Sequence, residues 1–129
     1  MPQDNIYRGR ACEFYAAYCL EKAGLRTTHV DLPFDDLWCV CPKGLMYRVQ
    51  VKSNSEPRLH SSHHRTPRYS FRVDAKSNPY SGVFIFVADD VKRIIAMKGD
   101  DVAVQNLKMS VDRFTKDEQD RTIKEVFSL

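Results

Sequence analysis

Glu13, Asp36, Gln50 and Lys52 are the residues of this chain whose types and spacing could do chemistry. Gln50 and Lys52 are two apart in Met46-Tyr47-Arg48-Val49-Gln50-Val51-Lys52, where polar and apolar residues alternate. On a strand, Arg48, Gln50 and Lys52 therefore leave one face, and Tyr47, Val49 and Val51 the other. Asp35-Asp36 opens a second run, Leu37 to Cys41, and Pro42-Lys43-Gly44 would turn the two runs into a hairpin. Mg²⁺ takes hard oxygen ligands in near-octahedral geometry and usually keeps several waters. Asp36, the Gln50 amide oxygen and the Val51 backbone carbonyl could supply such oxygens from adjacent strands, with Glu13 completing the set directly or through water. Lys52 beside a metal-bound water would orient it and stabilise charge on an attacked phosphate. These are the parts that phosphodiester hydrolysis needs. The plain alternative is a solvated strand face bearing Gln and Lys, with Asp-Asp after Pro-Phe in a turn.

The elements that must position these groups follow from periodicity. Asn5 to Gly24 is expected as a helix, with Ile6, Glu13, Ala16, Ala17 and Leu20 on one stripe and Gly24 as the stop. Glu13 is the anomaly of that stripe, because a carboxylate on an apolar face is costly unless paired, hydrogen-bonded or metal-bound. Its plain alternative is a place at the stripe's edge, reaching solvent or an arginine. Leu25 to Leu32 is expected as a strand or extended lead-in, and Leu37 to Cys41 and Leu45 to Ser53 as the hairpin. Tyr69 to Val73 alternates and predicts a short strand. Val83 to Ala88 is an unbroken apolar run, which suits a central strand buried on both faces. Asp89-Asp90 would turn the chain into a strand over Val91 to Met97, and Asp100 to Leu107 reads as a short helix or irregular segment. Thr115 with Glu118 predicts a capping box for a final helix whose apolar side is Ile123, Val126 and Phe127. The order implies one α/β domain, a mixed β-sheet flanked by helices.

The chain has 129 residues, 43% of them hydrophobic and 29% charged, values ordinary for a globular domain. No apolar run approaches the roughly 18 residues of a membrane span, and the N-terminus shows no apolar signal segment, so no membrane is expected and a cytoplasmic location is. The four cysteines Cys12, Cys19, Cys39 and Cys41 are expected as buried free thiols; the one-residue spacing of Cys39 and Cys41 does not suit a structural zinc site. The net charge of +3 is mild. Its distribution is more telling, since Arg58, Arg65, Arg68, Arg72 and Lys76 face only Asp74 over residues 57–76, alongside His60, His63 and His64. The stretch 54–72 is expected as a basic surface loop that contacts phosphates, or else as a solvated loop.

At Glu13, Pro33-Phe34-Asp35-Asp36 and Gln50-Val51-Lys52 the sequence resembles the PD-(D/E)XK nuclease superfamily, which has a restriction-endonuclease-like core. With glutamine where most members carry Asp or Glu, Tyr47 to Lys52 is similar to the group I intron-associated homing endonucleases. The resemblance spans roughly the first hundred residues and leaves the tail, about 115–129, unassigned. It implies Asp36 as principal metal ligand (Asp35 being the competing assignment), Gln50 in the second ligand position, Lys52 as catalytic lysine and Glu13 as helix-borne acid. It implies a Mg²⁺-dependent endonuclease (Mn²⁺ in its place) acting on double-stranded DNA. A chain of this size would cut both strands as a homodimer or higher symmetric oligomer. A Holliday junction resolvase-like nuclease and a non-catalytic DNA-binding module of the same fold are the other readings.

Overall fold

The computed structural model describes residues 2–60 and 65–129, with side chains from residue 7 onward. The expected positions of Ile6 in the helix stripe and of His63 and His64 in the basic stretch fall outside the described side chains. The chain runs α1 (Pro2–Lys22), β1 (Arg26–His29), β2 (Leu37–Val40), β3 (Met46–Asn54), β4 (Arg68–Arg72), β5 (Val83–Ala88), β6 (Arg93–Lys98), β7 (Asn106–Ser110) and α2 (Lys116–Val126). Five strands form a mixed sheet in the order β1-β2-β3-β5-β6, and β4 pairs with β7 in a separate ribbon. Only β3 and β5 are parallel, with Val51 opposite Ile85. Among the described residues, the crossover that a parallel pair requires carries β4 and no helix.

The sheet has a core on each face. Val83, Ile85 and Val87 meet α1 and α2 through Ala16, Leu20, Ile123 and Phe127. Phe84, Phe86 and Ala88 meet the ribbon through Tyr69, Phe71 and Met109. Hence β5 is buried along its whole length, as its unbroken apolar run predicts. All four cysteines are free and buried on the helix side.

α1 ends where Leu25 N–H donates to Leu20 C=O and Gly24 N–H to Glu21 C=O, with Gly24 at φ +105. That double bond pattern closes the last turn and needs the left-handed conformation glycine supplies. Gly44, at φ +85, does the same for the β2–β3 hairpin. At the other end Thr115 caps α2, its hydroxyl accepting from Glu118 N–H at 3.2 Å, while the Glu118 side chain pairs with Arg121 and leaves the capping box half formed.

Three segments differ from expectation. β6 begins at Arg93, after the turn has taken Val91 and Lys92. Residues 99–101 form a 3₁₀ turn and Asn106–Ser110 is a strand, hidden in the sequence because only Met109 of its five residues is buried. The strand expected over Tyr69 to Val73 is β4, shifted by one residue to Arg68–Arg72, so the basic loop expected over 54–72 ends before Arg68. Among the described residues no helix is long and apolar enough to cross a membrane.

α2 also closes the sheet edge. Buried Gln119 accepts from Ile94 N–H at 2.8 Å and buried Thr122 from Ala96 N–H at 3.1 Å, so side chains supply what an edge strand lacks. Gln119→Ala should cost about 1–3 kcal/mol, the penalty of stranding a buried amide. Urea denaturation measures it, and a loss below about 0.5 kcal/mol would show that water replaces the glutamine.

Candidate active site at the β2–β3 fork

β2 pairs with β3 only as far as Val49, opposite Leu37, and β3 then runs on to Asn54 with this edge open. Asp36 sits at the fork. Its amide donates to Val49 C=O at 2.8 Å, and its carboxylate accepts from the Val51 N–H at 2.7 Å. The carboxylate thus replaces the strand partner that Val51 has lost. Because a residue's N–H and C=O leave a strand toward one edge, the Val51 carbonyl opens to the same side. Gln50 donates through Nε2 to Phe34 C=O at 2.7 Å. A carbonyl accepts only, so this bond fixes the amide's orientation and leaves Oε1 without a donor among the described residues. Gln50 and Lys52 share a face, as their spacing predicts, and that face is the ribbon side of the sheet. There they line a cleft of about 520 Å³ with Phe34, Arg48, Asp74 and Tyr80. Lys52 makes no ion pair among the described residues.

The electrostatics are unfavourable to the acids. Burial pushes the Asp36 carboxyl above its usual range, and the Asp35 charge adds to this, against the Val51 hydrogen bond and the charges of Lys52 and His29. Glu13, half-buried on α1, is raised by burial and next by the Asp36 charge, with Arg10 opposing. It lies at the border of a stripe formed by Cys12, Ala16, Cys19 and Leu20, the edge position of its plain alternative. Carboxylates held costly as anions gain from a cation. Asp36 and Glu13 are near enough for their charges to interact, whereas the cleft that holds Gln50 and Lys52 is lined by neither of them. Carboxylate, amide and carbonyl oxygens are the ligand types a hard divalent ion takes. Among the described residues no group of three or more His, Cys, Asp or Glu side chains is arranged to hold a metal.

Asp35 has a different environment. It is buried, and its carboxylate accepts from Arg48 Nε at 2.9 and 3.1 Å, Trp38 Nε1 at 2.9 Å and the Tyr80 hydroxyl at 2.8 Å. Burial alone would raise its pKa, but these bonds outweigh it and hold the carboxyl below its usual range. Both its oxygens are spent on the protein. The sequence also gave no notice of His29, whose ring centroid is 4.2 Å from that of Phe14 and whose Nε2 is buried without a partner. It stands on a short strand with no flanking motif.

Arg58 and Arg68 face each other across an isolated antiparallel bridge, each amide donating to the other's carbonyl. Arg58 pairs with Glu56 at 3.1 Å and Arg72 with Asp74 at 3.2 Å. Arg68 and Arg72 alternate along β4 with Tyr69 and Phe71, which pack on the sheet. Arg68 is half-buried, Arg65 is exposed, and His60 Nε2 lies 3.2 Å from Arg68 C=O.

A bacterial homing endonuclease of known structure superposes on this chain with a TM-score of 0.55 at 14% identity, covering 78% of this chain and 71% of that one. The fold is endonuclease-like. No protein-family model matches the sequence, and no curated protein does. The endonuclease-like core is the mixed five-stranded sheet with its two helices, and the fork lies within it.

Proposed function

We propose that this chain is a Mg²⁺-dependent DNA endonuclease of the PD-(D/E)XK type with a Gln-x-Lys motif, acting on double-stranded DNA as a homodimer or higher symmetric oligomer. The observation that carries the reading is the fork itself. Asp36 holds a desolvated carboxylate between the Val51 edge and the Lys52 charge, in a fold like that of a homing endonuclease. Asp36, the Gln50 Oε1, the Val51 carbonyl and Glu13 would hold the ion; Mg²⁺ or Mn²⁺ bound there supplies an activated water and polarises the phosphate. Lys52 then stabilises the charge that develops on the attacked phosphate. Arg58, Arg65, Arg68 and Arg72 contact the backbone without reading sequence.

Purified protein should nick plasmid DNA with Mg²⁺ and stop on chelation. Lys52→Ala should slow this by about 10²-fold with an unchanged melting temperature. Equal cleavage by parent and variant would overturn the role of Lys52. The second reading, a non-catalytic DNA-binding module, is favoured by the neutral Gln50, which leaves the second ligand position without a charge. It predicts a melting temperature and DNA affinity indifferent to Mg²⁺ and Mn²⁺.

A further inference from the structure

On the sheet face opposite the Lys52 cleft, α1 and α2 flank a groove of about 450 Å³ that the proposed reaction does not use. Tyr15 and Tyr18 line one wall, with ring centroids 6.4 Å apart and stacked. Lys22 and Arg93 stand at the tyrosines, and Lys116 and Lys124 come from α2. Among the described residues the only acidic lining side chain, Asp120, is already paired with Lys116 at 2.7 Å. Lys22, Arg93 and Lys124 keep their charges free of any ion pair among the described residues. Tyr18 is 57% exposed, with Lys22 Nζ over its ring at 5.8 Å from the centroid. An exposed tyrosine beside cations that have no ion-pair partner among the described residues is a surface suited to a ligand carrying both anionic groups and flat rings.

We infer that this groove binds single-stranded nucleic acid, with a base stacked on Tyr18 and phosphates at Lys22, Arg93 and Lys124. The combination selects among polyanions. A duplex keeps its base faces inside, so it would use the cations and leave Tyr18 idle; an acidic peptide has no flat ring to lay on it. An unpaired strand uses both, since every base has a π-face and the backbone follows the charge. The site is separate from the fork, so binding here needs no divalent ion and survives in a protein that does not cleave.

The test is fluorescence anisotropy of the full chain with labelled oligothymidylate of about 12 nucleotides, in EDTA. Tyr18→Ala should weaken binding about tenfold, within the range of one lost stacking contact. With three phosphates neutralised, the log–log salt slope should be about −2, and Lys124→Ala should make it shallower by about 0.7. Both side chains are exposed, so both variants should melt as the parent does, and neither should alter duplex cleavage. Unchanged affinity in Tyr18→Ala, or competition by duplex stronger than by oligothymidylate, would overturn the inference. So would a face that binds no oligonucleotide because a second copy of the chain covers it.

Discussion

Asp36→Asn is expected to lower Mg²⁺-dependent cleavage by on the order of 10³-fold while raising the melting temperature of the metal-free protein. The two effects have one origin. Asparagine keeps an oxygen for the Val51 N–H, so the fork geometry is preserved, but it removes the anion that an ion needs. The carboxylate is desolvated, and its folded-state pKa lies above its ordinary value of 3.8. As pH rises past that value the unfolded chain ionises first, so the native state loses stability up to the raised pKa and stays lower beyond it. At neutral pH the variant escapes this loss, so its melting temperature should lie above the parent's. Below pH 3.8 both forms are neutral and the gain should vanish. Mg²⁺ should reverse the order, raising the parent's melting temperature and leaving the variant's where it was. Thermal melts at pH 7 and pH 3.5, with and without Mg²⁺, check every arm. A variant less stable than its parent at neutral pH in EDTA would mean that Asp36 is a structural cap and not a strained ligand.

How much of this site could be read in advance depends on how local each signal is. The shared face of Gln50 and Lys52 follows from a period of two, and the hairpin from a glycine between two strand-like runs. The burial of β5 follows from six consecutive apolar residues. Each is set within a few positions. Glu13 is harder, because periodicity alone does not separate a carboxylate within an apolar stripe from one at its border, and the half-buried position of Glu13 beside Cys12 and Ala16 emerges only in the fold. β7 escaped because a ribbon strand that buries one methionine has little periodicity to show. Gln119 and Thr122 look like solvated helix residues until the open edge of β6 is placed beside them. Periodicity also has no means of ranking two adjacent aspartates. The difference between them is made by Arg48 and by Tyr80, the latter 45 residues away.

That difference gives the second large expectation. Asp35→Ala should cost about 3 kcal/mol, near 10 °C in melting temperature, in contrast with the gain at Asp36. Removing the carboxylate strands the Trp38 indole N–H and the Tyr80 hydroxyl in a buried site, together with the Arg48 guanidinium. Arg48 is 41% exposed and can recover part of its hydration, which keeps the cost at the low end for a broken buried pair. Asp35→Asn should cost less, since it retains one acceptor and the Tyr80 hydroxyl can turn to accept from the new amide. The sign with pH is opposite to that at Asp36. The folded-state pKa of Asp35 lies below its ordinary 3.8, so its stabilisation is complete above that pH and is lost as pH falls through the lowered value. The parent's advantage over Asp35→Asn should therefore hold at pH 7 and shrink below pH 3.8. Arg48 and Tyr80 also line the cleft beside Gln50 and Lys52, and Arg48 reaches Ser81 at 2.9 Å. Loss of Asp35 should thus loosen the cleft wall and reduce cleavage in proportion to the unfolded or loosened fraction, with partial recovery on cooling. Cleavage abolished in a variant that melts with its parent would assign the metal to Asp35, and would make Asp36 the structural member of the pair.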